Sequence, residues 1–217
     1  MGCHRSRHAL HGAVVSKEKL TGQCSWPWGT GFLVVLAVAA FLSKAVDDGF
    51  IYDRALISRG EFWRGWTGHV VHFGSSHILW NLAIFLPVGI WLERLRPGLT
   101  RWFYFVCPLV ISIALWWLDP SLDRYAGLSG LATGMLVLLA GLQLERRPQE
   151  PAWFWWSVLI LVGAKIGIEL FSGKPLLVSG FADIRTVPLA HIFGAACGLV
   201  FWIGARAAQA RGAKAAD

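Results

Sequence analysis

Six long apolar runs are the feature that most constrains this chain. They span residues 28–46, 70–92, 102–118, 126–144, 153–172 and 187–205. Each run approaches the roughly 20 residues that a helix needs to cross a bilayer. A soluble domain of 217 residues could not bury so much apolar surface, because 55% of the chain is hydrophobic and only 15% is charged. The sequence therefore predicts an all-α, polytopic membrane protein with six transmembrane helices.

The predicted spans divide the chain into three parts. Residues 1–27 form a basic N-terminal segment, residues 28–206 form the membrane domain, and residues 207–217 form a tail. A cleaved signal peptide is the alternative interpretation of the first span, because that span follows basic residues. The leading segment is long for such a peptide, so we expect the first span to remain in the protein.

Basic residues set the expected orientation in the membrane. The formal net charge is +7, but the basic residues lie in short clusters between apolar runs, so we expect no nucleic-acid partner. The N-terminal segment, the second and fourth loops and the tail hold roughly twice as many Lys and Arg residues as the other loops. The positive-inside rule then places both termini in the cytoplasm. Spans two, four and six would begin at the outer face.

Polar residues inside these three spans are the candidates for function, because polar side chains are costly within a bilayer. His77 and Asn81 lie in the second span, which begins near His72. Ser129 lies about three residues into the fourth span, and His191 lies about four residues into the sixth. We therefore expect these polar residues to meet in one shallow cavity that opens outward.

A serine and a histidine at matching depth indicate nucleophilic catalysis. A serine hydroxyl is a weak nucleophile until a base removes its proton, and histidine is the usual base near neutral pH. Ser129 lies in the sequence Gly-Leu-Ser-Gly at a helix start, where free N–H groups favour a negatively charged oxygen. His77 and Asn81 are four residues apart and share one helix face, from which both can donate hydrogen bonds.

Structural explanations compete with this interpretation. Glycines four residues apart let transmembrane helices touch, which accounts for the glycines of the fourth and sixth spans without any catalysis. These pairs are Gly130 with Gly134 and Gly194 with Gly198. An intramembrane histidine is also often a packed residue or a haem ligand, and His69 and His72 can be interfacial.

The fifth span carries Lys165 and Glu169, which are four residues apart. We expect them to form a self-neutralising ion pair. We expect no intramembrane carboxylate near Ser129 and His191, so the predicted catalytic unit is a dyad. The four cysteines show no disulfide or zinc spacing, and we expect no metal and no cofactor.

Taken together, these residues resemble the rhomboid family of intramembrane serine proteases. The resemblance covers residues 61–198 and follows the order of the family's motifs. The matching positions are Trp63 and Arg64 in the first loop, His72, His77 and Asn81 around the second span, Gly127, Ser129 and Gly130 at the fourth, and His191, Gly194 and Gly198 in the sixth.

The resemblance implies a six-helix core that acts on transmembrane protein substrates within the lipid bilayer. It implies Ser129 as the nucleophile and His191 as its general base. It also implies His77 and Asn81 as oxyanion donors beside the backbone N–H of Ser129. One position departs from the family, because many rhomboids have a tyrosine that stacks on the catalytic histidine where this chain has Thr133.

Three features look like the rhombosortase branch of the family: the short chain, Tyr125 before the Gly-Leu-Ser-Gly sequence, and the span with Lys165 and Glu169. That branch implies a bacterial inner-membrane enzyme whose active site faces the periplasm. Its implied substrates are exported proteins with C-terminal Gly-Gly membrane tails. The alternatives are an inactive rhomboid-like protein that binds membrane clients, or a b-type haem protein with His77 and His191 as axial ligands.

Overall fold

The computed structural model describes residues 26–146, 150–173 and 187–214, and this part of the chain is almost entirely helical. Two short strands, β1 (Tyr52–Asp53) and β2 (Arg124–Tyr125), form one antiparallel pair. A 3₁₀ turn covers Gly68–Val70. The α-helices are α1 (Trp28–Leu42), α2 (Lys44–Phe50), α3 (Arg54–Ser58), α4 (Arg64–Thr67), α5 (Ser75–Leu95), α6 (Pro97–Leu118), α7 (Ser129–Arg146), α8 (Ala152–Ser172) and α9 (Pro188–Lys214).

Four of these helices are long and apolar enough to cross a membrane, namely α5, α6, α8 and α9. The bent pair α1 and α2 would count as a fifth span if it crosses as one unit. Within the described residues, the expectation of six spans is therefore not confirmed. The expectation of a multi-pass helical membrane protein is confirmed. Helix α7 is not among the helices that are long and apolar enough to cross a membrane, and its last turn carries Gln143, Glu145 and Arg146.

Residues 28–46, the first predicted span, do not form a single straight helix. Helix α1 ends at Leu42, and α2 leaves it at an angle of 113°. Ser43 lies at the break in an extended conformation, with φ −121° and ψ 106°. Helix α2 carries Lys44, Asp47 and Asp48, which favour a polar or interfacial position rather than a continued apolar helix.

Helices α5 and α7 begin later than the apolar runs predict. Extended Gly74 precedes α5, so His72 lies before the helix rather than in it. Helix α7 begins at Ser129 itself rather than at residue 126. Helix α9 continues as far as Lys214, past the predicted start of the tail at residue 207, whereas the predicted N-terminal segment lies almost wholly outside the described residues.

Helix α7 lies at the centre of the bundle, and most of its residues are buried. It packs against α5, α8 and α9, with α9 as its most extensive partner. The glycines of α7 and α9 alternate along this contact. A Cβ on Gly194 would collide with the carbonyl of Gly130, and a Cβ on Gly198 would collide with the carbonyl of Gly134. The two backbones therefore touch directly, as small residues permit.

The buried carboxylate of Glu93, near the C-terminal end of α5, links α5 to the start of α1. Glu93 accepts hydrogen bonds from the backbone N–H of Gly29 at 3.2 Å and of Thr30 at 2.7 Å. It also accepts one from the Thr30 hydroxyl at 2.7 Å. First-turn N–H groups have no partner within their own helix, and a negative charge there is favourable. Glu93 thus stabilises the start of α1.

The connection between α6 and α7 is fixed by Arg54. Its guanidinium donates to the carbonyls of Leu115, Trp116, Asp119 and Leu122 at 2.9–3.1 Å. The carbonyls of Trp116 and Asp119 lie at the C-terminal end of α6, where the last carbonyls of a helix lack partners within it. The adjacent strand pair then places Tyr52 opposite Tyr125, which holds the segment leading into α7.

The α7–α9 contact predicts that alanine substitutions at two glycines of α9 change the Tm very differently. Gly194→Ala would drive a methyl group into the Gly130 carbonyl, whereas the space beside Gly204 is open. Overpacking of this kind destabilises a protein by about 1–3 kcal/mol. We expect Gly194→Ala to lower the Tm in detergent by at least about 3 °C.

Gly204→Ala is the matched control, and it should leave the Tm unchanged or slightly raised, because alanine favours helix more than glycine does. Equal melting temperatures for the two variants would contradict direct backbone contact between α7 and α9.

Candidate active site

Ser129 and His191 lie in hydrogen-bonding contact. The distance from Ser129 Oγ to His191 Nε2 is 3.0 Å, and His191 is only 6% exposed. The two residues are 62 positions apart in sequence, and the direct contact of α7 with α9 brings them together. A histidine nitrogen at this distance can accept the serine proton, which is the geometry that nucleophilic catalysis needs.

The structure also places His77 close to the start of its helix. Ser129 is the first residue of α7, while His191 and His77 lie in the first turns of α9 and α5. Counted from the start of the apolar runs at residues 126, 187 and 70, Ser129, His191 and His77 lie about three, four and seven residues deep. The depths are closer than predicted, because α5 and α7 begin later than the apolar runs do.

The turn before α7 depends on Gly127. Its φ of +125° lies in a region that side-chain-bearing residues rarely adopt. Its N–H donates to the Gly68 carbonyl at 3.3 Å, and its own carbonyl accepts from the Tyr125 hydroxyl at 3.2 Å. A Cβ on Gly127 would also lie 2.7 Å from His77 Nε2. Glycine is thus required both by conformation and by the close approach of His77.

His77 and Asn81 line the same turn from α5. They are 8% and 6% exposed, and the Cβ position of Gly127 lies 3.7 Å from Asn81 Nδ2. Within the described residues, Asn81 Nδ2 and His77 Nδ1 are buried and have no hydrogen-bond partner. Unpaired buried polar groups are unfavourable and call for an explanation. Asn81 Nδ2 and His77 Nε2, which approach the turn that leads into Ser129, are able to donate to a negatively charged oxygen.

Two aromatic rings hold His77 in place. The ring of His72 meets it edge-on at 5.1 Å, and the ring of Phe73 stacks on it at 6.2 Å. His72 Nδ1 donates to the Val70 carbonyl at 3.0 Å, which fixes the His72 ring. Burial lowers the pKa of His72, so this residue is neutral near pH 7. The contacts give His72 a position that supports the His77 ring.

Trp63 and Arg64 anchor the loop that precedes α5. Arg64 is buried and pairs with Glu61 at 2.6 Å. Its guanidinium also donates to the carbonyls of Asp48 and Ile51 at 2.8 and 3.0 Å. The half-exposed Trp63 indole donates to the Gly49 carbonyl at 3.2 Å. Both side chains therefore tie the loop to the end of α2.

The prediction that no intramembrane carboxylate lies near Ser129 and His191 is wrong. Glu169 Oε2 lies 2.6 Å from His191 Nδ1, and Glu169 is 3% exposed. Glu169 does form the predicted ion pair with Lys165, at 2.8 Å. The pair is not self-contained, however, since Lys165 Nζ also lies 3.2 Å from His191 Nδ1. The i,i+4 spacing suggested an ion pair, and only the packing of α8 beside α9 reveals its third member.

Thr133 does not take over the ring-stacking position of the tyrosine that the resemblance led us to expect. Its hydroxyl donates to the Ser129 carbonyl at 2.8 Å, one helical turn earlier. Thr133 therefore steadies the first turn of α7, and the groups that contact the ring nitrogens of His191 come from α7 and α8.

In the described residues, a serine–histidine contact thus lies at the N-terminal ends of two packed helices of a multi-pass helical membrane protein. Comparison with protein families matches residues 59–207 to the Rhomboid domain. This match covers more than half of the chain, and the chain therefore belongs to the rhomboid family.

One curated relative is the Rhomboid protease GluP of Bacillus subtilis (strain 168). The identity is 28% over 116 residues, which is 53% of this chain and 22% of that protein. The chain thus corresponds to about a fifth of the relative's length. The comparisons identify the family and not a branch within it.

Proposed function

We propose that this protein is an intramembrane serine endopeptidase that uses Ser129 and His191. The observation that carries the proposal is the 3.0 Å contact between Ser129 Oγ and His191 Nε2 at the N-terminal ends of two packed helices. Membership of the rhomboid family and the similarity to a relative named as a protease support the same conclusion.

The reaction follows from the chemistry of these two residues. His191 Nε2 accepts the proton of Ser129 as the serine oxygen bonds to the scissile carbonyl carbon. The resulting tetrahedral intermediate collapses when the C–N bond breaks, and His191 returns its proton to the leaving amine. Water then attacks the acyl carbon while His191 takes its proton, and His191 returns that proton to Ser129 Oγ as the acyl–oxygen bond breaks. No cofactor is needed for these steps.

His77 and Asn81 serve in this proposal as oxyanion donors. His77 Nε2 and the unpaired Asn81 Nδ2 lie beside the turn that leads into Ser129, and the backbone N–H of Ser129 is at the start of α7. Donors that are fixed before the reaction stabilise the negative charge of the intermediate without reorganisation. The lack of a partner for Asn81 Nδ2 among the described residues is then explained, because its partner is the intermediate.

The expected orientation determines which bonds this site can reach. With both termini in the cytoplasm, the site opens toward the outer face, which in a bacterial inner membrane is the periplasm. A serine in the first turn of its helix reaches only bonds near the outer end of a substrate helix. Those bonds are hydrogen-bonded within the substrate, so cleavage requires a segment that unwinds readily.

We further propose that the substrates are exported proteins with a single C-terminal membrane anchor, as for the rhombosortase branch. Each glycine lowers helix stability by about 1 kcal/mol relative to alanine. A Gly-Gly pair just before a C-terminal apolar span would therefore weaken a substrate helix at the depth that this site reaches.

The alternatives are less well supported by the geometry. An inactive client-binding protein would not need a serine and a histidine in contact. Haem ligation by His77 and His191 is disfavoured, because both ring nitrogens of His191 already have partners in Ser129 and Glu169. An absorbance spectrum of the purified protein with a Soret band would support the haem alternative.

The first functional prediction concerns the catalytic pair. Residues that act as a unit are not additive, so Ser129→Ala and His191→Ala should each abolish activity about as completely as the double variant. Labelling by a fluorophosphonate probe and cleavage of a transmembrane reporter protein would measure this in detergent and in liposomes. Substantial cleavage by His191→Ala would contradict the assignment of His191 as the base.

The second prediction concerns the oxyanion donors. Loss of one such donor typically lowers the rate by about 10²–10³-fold. His77→Ala and Asn81→Ala should therefore cleave a reporter slowly while inserting and folding normally, as judged by Tm. Near-normal rates in both variants would overturn the oxyanion role.

The third prediction concerns substrates. A deletion strain should retain exported proteins with an uncut C-terminal anchor, whereas the wild-type strain should release them with a C-terminus near small residues. C-terminal mass mapping of surface and secreted proteins from both strains would measure this. If no anchored exported protein kept its C-terminal segment, the rhombosortase assignment would fall and the general protease assignment would remain.

A further inference from the structure

We propose that Glu169 is a positioning residue that holds His191 in the tautomer able to accept the Ser129 proton. The inference rests on the proposed function. It adds Glu169 to the predicted dyad, so that His191 contacts Ser129 through one ring nitrogen and Glu169 through the other. Its basis is the juxtaposition of three helices, since α7 supplies the serine, α9 the histidine and α8 the carboxylate.

The contacts of Glu169 determine its charge. Lys165 Nζ lies 2.8 Å from one carboxylate oxygen and 2.9 Å from the other. An ammonium group shared by both oxygens stabilises the ionised carboxylate, and an ionised carboxylate can only accept hydrogen bonds. The proton in the 2.6 Å contact between Glu169 Oε2 and His191 Nδ1 therefore belongs to the histidine.

The position of that proton determines the state of the opposite nitrogen. A neutral imidazole carries one proton, so a protonated Nδ1 leaves Nε2 as an acceptor. His191 Nε2 is the atom that lies 3.0 Å from Ser129 Oγ. The opposite tautomer would place an unprotonated Nδ1 against a carboxylate oxygen, where two lone pairs would repel. Glu169 thus selects the tautomer that the reaction requires, and it would also stabilise the imidazolium formed during the reaction.

Lys165 has a different part in this arrangement. Its Nζ lies 3.2 and 3.4 Å from the two ring nitrogens of His191, so it does not select one nitrogen over the other. Its near-equal contacts with both oxygens of Glu169 are shorter, at 2.8 and 2.9 Å. Lys165 therefore stabilises the buried carboxylate, and Glu169 acts on the histidine. Thr133 contacts the Ser129 carbonyl instead, which leaves this orienting task to Glu169.

The test compares three variants by the kinetics of labelling with a fluorophosphonate probe. Glu169→Gln keeps the side-chain shape, but its amide can donate to His191 Nδ1 and favour the wrong tautomer. We expect the maximal rate of inactivation to fall by at least about 10²-fold, with the half-saturating probe concentration changed by less than about threefold. Lys165→Met should lower the Tm, because it leaves a buried carboxylate without its ammonium partner. It should reduce the maximal rate far less than Glu169→Gln does, because the Glu169 carboxylate remains beside His191 Nδ1.

The double variant Lys165→Met/Glu169→Gln separates positioning from simple charge pairing. It removes both charges together, so it should regain much of the stability lost by the single variants. If Glu169 positions His191, the maximal rate of the double variant stays low. Recovery of the wild-type rate would overturn the proposal, since only the ion pair would then matter.

Glu145→Gln is the matched control for loss of a glutamate. Glu145 lies at the opposite end of α7 from Ser129, where it contacts Trp202 and Arg206. It should leave the labelling rate near that of the wild type. A loss as large as that of Glu169→Gln would overturn the proposal, because removal of a glutamate charge far from His191 would then suffice to explain the result.

A second readout does not depend on activity. ¹⁵N NMR of histidine-labelled protein, with the His191 signals assigned from a His191→Asn variant, reports which ring nitrogen carries the proton. We expect a protonated Nδ1 in the wild type and a protonated Nε2 in Glu169→Gln. The same tautomer in both proteins would overturn the proposal. A wild type that neither labels nor cleaves would overturn the proposed protease function, while this spectrum would still decide the role of Glu169.

Discussion

The direct contact of α7 with α9 is the constraint on which the site depends. Glycines on each helix remove the side chains that would otherwise separate the two backbones, and the carbonyl of Gly130 lies against Gly194 as a result. This contact lies within about one helical turn of Ser129 and His191, because Gly130 follows Ser129 and Gly194 lies three residues after His191. A spacing larger by the width of a side chain would remove the 3.0 Å contact between serine and histidine. The packing interpretation and the catalytic interpretation of these glycines are therefore not alternatives, since the packing creates the site.

Much of the site could be predicted from the sequence because its signals are local. The apolar runs indicate membrane helices, and the i,i+4 spacing of His77 and Asn81 places both on one face of α5. The start of each run then indicates which polar residues share an end of the bundle. The turn at Gly127 was not predicted, since the fourth apolar run begins at residue 126, and the φ of +125° and the approach of His77 depend on the tertiary structure.

The rest could not be predicted, because it depends on packing and on local breaks in apolar sequence. The 113° bend at Ser43 was missed because the predicted span continues across Ser43 and Lys44 to Val46, although these polar residues lie where α1 ends. Glu169 was assigned only to Lys165, because spacing along one helix reports neighbours on that helix alone. The orientation of α8 toward α9 is a tertiary property, and it converts an ion pair into a contact with His191. The usual tyrosine of the family is absent, and a carboxylate from another helix contacts the histidine instead.

The measurement that tests this account most directly is a structure of the protein after reaction with a fluorophosphonate. The account predicts a covalent bond from Ser129 Oγ to phosphorus, with the phosphoryl oxygen about 3 Å from nitrogens of His77 and Asn81. It also predicts that His191 remains in contact with Glu169. An adduct on another residue, or a phosphoryl oxygen that points away from both His77 and Asn81, would contradict the account.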